Sequence, residues 1–189
     1  MTAADDAAAH DPACSTAHGE RPGPDTADRS LVVVYATPLA GYLAAWGREL
    51  GFDVTLVEPD PTAVGNAHRD HADRVVHDAD AEALATADVV VTDHHRDDLG
   101  ATMAPLVRAR PRSIGIIGSP RHAGPHEAAL AEQGVPAELI ATVRRPIGLD
   151  IGSKTPAEIA CSILGGLLAE RNGKVGGLPT PVTSATVGT

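Results

Sequence analysis

The stretch LVVVYATPLAGYLAAWGRELGFDVTLVE, residues 31–58, decides the fold. It opens on a short apolar, β-branched run that is typical of a buried parallel strand. A helix is predicted over residues 38–50, and its apolar stripe is formed by Leu39, Leu43, Trp46 and Leu50. A second strand over residues 53–57 ends at Glu58. Strand, helix, strand and acidic residue at this spacing are the frame of a dinucleotide-binding fold.

The first turn of that frame lacks the glycines of the dinucleotide fingerprint G-x-G-x-x-G, which are replaced by Tyr35, Thr37 and Ala40. Ala40 still allows close packing of helix and strand, but Thr37 would crowd a pyrophosphate and Tyr35 requires an unstrained turn. Pro38 also removes an N–H that would face an anion. NAD(P) is therefore not expected as a cofactor. Glu58 occupies the ribose-binding position, and the alternative for it is a solvated strand end.

Strands and helices alternate along the rest of the chain. Further strands are predicted over residues 74–77, 88–92 and 113–117, and helices over residues 79–87, 99–108, 124–133 and 135–142. This alternation predicts an α/β fold with three α/β/α layers, a Rossmann-like, doubly wound parallel sheet of about five strands in the order 3-2-1-4-5. We expect a disordered N-terminal tail over residues 1–29, a folded domain over 30–172 and a flexible C-terminal tail over 173–189.

Two polar loops follow predicted strands. DHHRDD, residues 93–98, could bind a metal, handle protons, contact a ligand without a metal, or simply cap the next helix. The run from Gly118 to Arg121 places glycine, serine and arginine after a strand, which suits an anionic group or an ordinary strand–helix turn. His122 and His126 lie one helical turn apart and are predicted to face solvent.

RPIGLDIGSKTPAEIA, residues 145–160, launches the last helix. Thr155 is a good N-cap, and Glu158 three residues later completes a capping box. Ser153 and Lys154 stand where the free N–H groups and the positive end of the helix dipole point. The stretch is therefore either a well-capped structural helix or an anion contact at a helix start.

Composition excludes several classes of protein. The formal net charge of −10 argues against binding to nucleic acid and to anionic membranes, both of which require a basic surface. Two cysteines make no disulfide framework and no zinc spacing. The sequence has neither a signal peptide nor an apolar run of membrane length, so we expect a cytoplasmic location.

Three segments resemble the XdhC/CoxI family of accessory proteins for molybdenum hydroxylases. Residues 146–160 are similar to its signature stretch, and residues 114–119 with Arg121 resemble its Gly-Ser-Arg-Arg segment. Residues 89–98 resemble its Thr-His-Asp-His stretch, with His95 and Asp98 in register. The resemblance covers about residues 31–171, the family's C-terminal Rossmann domain. The family's Gly-Ala-Gly-His-Val-Gly turn and its N-terminal domain have no counterpart here, and Pro120 replaces one arginine.

The resemblance implies a chaperone that binds molybdenum cofactor (molybdopterin) and delivers it to an apo-hydroxylase, with no catalytic residue and no metal site of its own. A separate protein carrying the N-terminal domain is a further candidate partner, and a homodimer is the common default among oligomers. The predicted cofactor-binding residues are Thr37, Glu58, His95, Asp98, Gly118, Ser119, Arg121, Asp150, Gly152 and Lys154. The alternatives are an NAD(P)-dependent oxidoreductase and a degenerate Rossmann domain used for dimerisation or docking.

Overall fold

Five parallel strands form the centre of the molecule in a computed structural model, which describes residues 29–119 and 124–177. The strands are β1 Ser30–Val34, β2 Asp53–Val57, β3 Arg74–Val76, β4 Asp88–Val91 and β5 Ser113–Ile116. They lie in the order β3-β2-β1-β4-β5, so the predicted fold class and strand order are confirmed. β1 is central, and its Leu31 is in register with Val54 of β2 and Asp88 of β4.

The described residues form seven helices and one short 3-10 turn (Pro61–Ala63); four of the helices lie between strands and three follow β5. The helices are α1 Pro38–Glu49, α2 Asn66–Arg69, α3 Ala81–Leu84, α4 Leu99–Arg108, α5 Pro125–Glu132, α6 Ala137–Ile140 and α7 Pro156–Arg171. The third helix begins two residues later than predicted because Asp80 caps it: its carboxylate accepts the N–H of Glu82 at 3.1 Å and fixes the start at Ala81.

Side chains alternate between two apolar layers, one on each face of the sheet. Val32 and Val34 of β1 point into the layer that contains Met103 of α4, and Val33 points into the layer that contains Leu43 of α1. The predicted stripe on α1 is half right. Leu39 and Leu43 are buried, but Trp46 and Leu50 are 38% and 36% exposed.

The sheet continues past β5 in a way that the sequence did not predict. Residues 144–147 run alongside it: Ile116 donates its N–H to the Arg144 carbonyl at 2.9 Å, and Arg144 donates to the Ile114 carbonyl at 3.0 Å. Gly115 permits this approach, because a Cβ there would lie 2.6 Å from the Ile147 Cδ1 atom. Arg145 is thereby brought towards the carboxyl end of β5.

The amino edge of the sheet is held by a buried carboxylate. Asp88 is fully buried at the start of β4 and accepts hydrogen bonds from Ser113 at 2.6 Å and from Arg171 at 2.7 Å. Arg112 Nη2 lies 2.5 Å from Oδ1, the oxygen that also accepts from Ser113. Because Arg171 is the last residue of α7, this cluster fixes the end of that helix to the sheet.

Replacing either of two helical glycines by alanine is expected to change the free energy of unfolding, but in opposite directions. A Cβ at Gly100 in α4 would lie 2.5 Å from the Ala129 carbonyl oxygen of α5, so Gly100→Ala must separate two helices and cost about 1–3 kcal/mol. A Cβ at Gly41 in α1 meets nothing within 4 Å, so Gly41→Ala is expected to stabilise by about 0.5–1 kcal/mol. Urea unfolding of both variants measures the difference, and equal shifts would contradict the close helix contact.

The predictions of terminal tails lie largely outside the described residues. In the described ranges, no helix combines the length and the apolar character that crossing a membrane requires.

Candidate functional site

The turn after β1, at the carboxyl edge of the sheet, has a backbone conformation that favours glycine, although Tyr35 occupies it. Tyr35 has a φ of +74°, so the expectation of an unstrained turn is wrong. Its side chain is buried, its hydroxyl donates to Asp98 Oδ1 at 3.3 Å, and the Arg96 guanidinium carbon lies 4.7 Å from the ring centroid. Burial raises the pKa of the Tyr35 phenol well above its usual range. These contacts offset the strain of the turn.

Glu58 is buried behind this turn, so its interpretation as a solvated strand end is wrong. Its side chain is 1% exposed. One carboxylate oxygen accepts the N–H of Ala36 at 2.8 Å, and the other accepts the N–H of Asp60 at 2.9 Å and faces Arg96 Nη2 at 3.4 Å. The carboxylate therefore joins the ends of β1 and β2, with both of its oxygens already engaged by the chain itself.

Two threonine hydroxyls connect the end of β1 to the end of β4. The Thr37 hydroxyl donates to that of Thr92 at 2.9 Å and caps α1 by accepting the N–H of Ala40. Thr92 is buried, and its hydroxyl lies 2.9 Å from the Val34 carbonyl oxygen. Thr37 is therefore a turn-closing residue in this structure, and its hydroxyl has partners within the protein.

The loop after β4 is folded on itself. Asp93 accepts the N–H of His95 at 2.8 Å, and the rings of His94 and His95 lie 4.0 Å apart. Arg96 donates to both carboxylate oxygens of Asp98 at 3.1 Å. His95 is exposed. Within the described ranges, no three His, Cys, Asp or Glu side chains are grouped so that they could hold a metal ion.

The loop after β5 is built around Arg145. Gly118 has a φ of +152°, and a Cβ there would lie 2.4 Å from Arg145 Nε. A Cβ at Gly124 would lie 2.3 Å from His126 Cε1 and 3.1 Å from Arg145 Cδ. Any side chain at either glycine would therefore collide with the arginine or the histidine.

His126 is 3% exposed, so the prediction that it faces solvent is wrong. Sequence spacing missed it because burial here depends on Gly124 and Arg145 rather than on its neighbours along the helix. Burial lowers the pKa of His126, and the charges of Arg145 and His94 lower it further. Burial, His95 and Arg145 likewise lower the pKa of His94. Both imidazoles are therefore held in the neutral form.

Residues 145–160, which lead into α7, have the geometry of a structural helix start. Thr155 accepts the N–H of Glu158 at 3.3 Å, and Glu158 accepts the N–H groups of Thr155 at 3.0 Å and Lys154 at 2.7 Å. These bonds lower the pKa of Glu158, with the Lys154 bond contributing most. The first N–H groups before α7 are thus used by its own capping box.

The predicted site residues separate into distinct groups. Glu58 and Asp98 are joined through Arg96, and Thr37 closes the same turn. Gly118 contacts Arg145, while Ser119 next to it and His95 are exposed. The three predicted site residues that precede α7 are exposed, namely Asp150, Gly152 and Lys154. Arg121 lies outside the described residues.

Two cavities lie away from these groups. One of about 240 Å³ opens between residues 144–149 and α7, and its floor includes Ile147, Ile163 and Leu167. Another of about 440 Å³ lies between α5 and α6. None of the predicted site residues lines either cavity.

The stability of the fold is expected to fall in mild acid. Because His94 and His126 have a lower pKa in the folded chain than the ordinary 6.5, the unfolded chain binds more protons below that pH. Their contribution is fully present above pH 6.5 and is lost as the pH falls towards the folded-state values. Urea midpoints at about pH 7.5 and about pH 5.5 measure the loss.

The His126→Gln variant is expected to show a smaller loss of stability over the same range, whereas replacing the exposed His71 by Gln leaves the loss unchanged. Equal pH dependence in the wild type and in His126→Gln would contradict the assignment of a buried neutral imidazole.

Comparison with known proteins gives one family match. The family model described as the XdhC Rossmann domain matches residues 31–167. A protein of Escherichia coli strain K12 described as the uncharacterized protein YqeB is 40% identical over 65 residues, which cover 34% of this chain and 12% of that protein.

Two solved structures are also similar. A crystal structure described as a xanthine dehydrogenase from Bacillus halodurans matches with a TM-score of 0.61 and 23% identity, over 77% of this chain and 43% of that chain. A D-isomer specific 2-hydroxyacid dehydrogenase family protein from Klebsiella pneumoniae 342 matches at 16% identity over 85% of this chain and 60% of that chain, and its TM-score of 0.39 carries no argument. The first likeness shows the fold. The chain spans less than half the length of that Bacillus protein.

Proposed function

The chain belongs to the XdhC family through its Rossmann domain, and from that premise we propose that it serves the maturation of molybdenum hydroxylases of the xanthine and carbon monoxide dehydrogenase type. It binds molybdenum cofactor, or a related nucleotide, at the carboxyl edge of the sheet and passes it to the apo-enzyme. The proposed partners are that apo-hydroxylase and a separate protein that carries the family's N-terminal domain. The chain acts as an insertion chaperone without catalysis.

One observation supports this proposal above the others: a guanidinium lies against a glycine in the loop that follows β5. Arg145 packs over Gly118 so closely that no side chain fits between them. The terminal phosphate of the pterin cofactor is anionic, and arginine is well suited to hold phosphate oxygens. Arg145, Gly118 and Ser119 would hold that phosphate, and His95 lies on the exposed side of the same edge. The donors present therefore fit the anionic part of the cofactor.

The same geometry argues that NAD(P) is not the ligand. In a dinucleotide site the acidic residue at the end of the second strand is free to accept a ribose hydroxyl, and the first turn lets pyrophosphate approach the backbone. Here Glu58 accepts the N–H of Ala36, a group of that very turn, and Arg96 lies beside the carboxylate. Tyr35 replaces the first glycine and its ring fills the space beneath. An oxidoreductase using NAD(P) would have to break these contacts.

A second candidate function is that of a docking module that binds no ligand. It is favoured by Tyr42 and Trp46 on α1, two exposed aromatic side chains whose ring centroids are 5.2 Å apart. Exposed aromatic residues are enriched at protein interfaces, and one helix face can pair with itself across a two-fold axis. The proposed occupant is a second copy of the chain. Sedimentation should then give a dimer for the wild type and a monomer for Trp46→Ser; a monomeric wild type would contradict it.

Titration with isolated molybdopterin tests the cofactor proposal. Saturable binding at one site per chain is expected, together with no heat from NAD or NADP under the same conditions. The Arg145→Gln variant should bind molybdopterin about tenfold more weakly or worse, because a charge-assisted hydrogen bond is lost. The absence of saturable binding by the wild-type chain would overturn the proposal.

A further inference from the structure

The structure carries one cluster of polar groups that neither the fold nor the sequence motifs account for. His94 and His126 each hold a buried Nδ1 atom that has no hydrogen-bond partner among the described residues. Buried polar atoms are nearly always satisfied in native proteins, so such an atom needs an explanation. Two such atoms lie near one arginine, and each can form a hydrogen bond with a bound group.

The cluster lies at the start of α5. Gly124 is the N-cap of that helix and provides no side-chain cap, and Pro125 occupies its first turn. The ring of His126 folds back over the cap, since a Cβ at Gly124 would lie 2.4 Å from His126 Nδ1. The unsatisfied nitrogen is therefore directed at the helix N-terminus, where the macrodipole favours negative charge.

Arg145 joins the helix start to the end of β5. Its side chain touches both glycines that flank the loop: Gly118 on the strand side and Gly124 on the helix side. His94 reaches the same region from the end of β4, and the positive charge of Arg145 acts on both histidines. Arg145 and His126 thus meet at one helix N-terminus, and His94 is close enough to interact electrostatically with both.

We propose that Arg145, His94 and His126 form, with the N-terminus of α5, a subsite for a tetrahedral oxyanion such as a phosphate group. A neutral imidazole with its proton on Nδ1 donates one hydrogen bond to such an oxygen. A bound dianion also stabilises the imidazolium form, so binding takes up protons. The subsite extends the proposed function by naming the part of the cofactor that this edge holds, and to that extent it rests on it.

The charges around the two histidines determine the sign of this coupling. His126 is faced by Glu127, Arg145 and His94, and His94 is faced by Asp93, His95 and Arg145. The net effect of these groups and of burial is to lower the pKa of both imidazoles and so to favour their neutral form. An added dianion reverses that balance, so oxyanion affinity should rise as the pH falls from about 8 to about 6.

Calorimetric titration of the full chain with inorganic phosphate and with sulfate tests the subsite. Sulfate keeps its double charge over this pH range, so its pH dependence reports on the protein alone. We expect saturable binding of both anions and an affinity for sulfate that increases towards pH 6. Arg145→Gln should weaken sulfate binding about tenfold or more, and His126→Gln should flatten its pH dependence.

The matched control is Arg144→Gln. Arg144 is the neighbouring residue on the same segment, but its guanidinium is bound to Glu170 at 2.5 and 2.8 Å. Sulfate affinity should be unchanged in this variant. If the His126 variant does not fold, the imidazole nitrogen resonances of the wild type provide the same information, since His126 Nδ1 must shift when sulfate binds.

The outcomes separate the subsite from the wider proposal. No saturable binding of either anion, a pH-independent sulfate affinity, or an equal effect of Arg144→Gln and Arg145→Gln overturns the subsite. If the chain binds sulfate through Arg145 but does not bind molybdopterin, the subsite is supported and the cofactor proposal is overturned. If molybdopterin binding is unchanged by substitutions of Arg145, His94 and His126, the cofactor proposal is supported and the subsite is overturned.

Discussion

Replacing Asp88 by Asn is expected to lower the free energy of unfolding by about 3–5 kcal/mol. The Asp88 carboxylate is fully buried and neutralises two guanidinium groups, Arg112 at 2.5 Å and Arg171 at 2.7 Å. Asn keeps the shape but removes the charge, so Arg112 and Arg171 lose the buried carboxylate that they share at the start of β4. Since a domain of this size is stable by only about 5–15 kcal/mol in total, much of the variant should unfold in moderate urea.

The matched control is Asp53→Asn. Asp53 pairs with Arg74 at a similar distance, 2.8 Å, but both side chains are more than half exposed. Exposed pairs contribute about 0–1 kcal/mol, so this variant should unfold almost like the wild type. Chemical denaturation of both variants compares them directly. Equal losses would mean that the Asp88 cluster does not hold α7 to the sheet.

Replacing Glu58 by Gln is expected to cost about 2–3 kcal/mol. The Glu58 carboxylate accepts two backbone N–H groups, from Ala36 and Asp60, and lies 3.4 Å from Arg96. A glutamine amide turns one acceptor into a donor that must face another donor. The effect is smaller than at Asp88 because Arg96 is 28% exposed and keeps its bonds to Asp98.

Glu49→Gln, at an exposed position near the end of α1, serves as the control and should change stability by less than about 0.5 kcal/mol. Thermal or urea unfolding gives the comparison. A Glu58→Gln variant as stable as the wild type would contradict the structural role of this carboxylate and would reopen its assignment to ribose binding.

Local patterns were sufficient to predict much of the fold. β2 has its predicted bounds of Asp53–Val57, and α4 has its predicted bounds of Leu99–Arg108. The capping box of Thr155 and Glu158 forms as predicted, because it depends on residues three apart in one turn. The strand order follows from right-handed crossovers, which leave few arrangements for five alternating units.

The contacts that define the site depend on residues far apart in the chain, and local patterns do not encode them. Arg96 and Glu58 are 38 residues apart, and Arg145 meets Gly118 only because residues 144–147 extend the sheet. No periodicity predicts that extension, since it involves a single bridge beside β5. Missing it left Arg145 out of the predicted anion contact, which was placed on Gly118, Ser119 and Arg121.

The two halves of the carboxyl edge differ in what they offer a ligand. On the side of β1 and β2, the chain's own Tyr35, Glu58 and Arg96 bind one another. On the side of β4 and β5, two imidazole nitrogens remain unsatisfied among the described residues. We propose that the second half is where the anionic cofactor binds.

Mapping the bound cofactor by backbone amide resonances tests this division most directly. Titrating the isotopically labelled chain with molybdopterin should shift the amides of His94, Gly118, Ser119 and His126, while those of Ala36 and Asp60 stay in place because Glu58 continues to hold them. Shifts centred on Ala36 and Asp60, or confined to the cavity between residues 144–149 and α7, would contradict a cofactor site at the ends of β4 and β5.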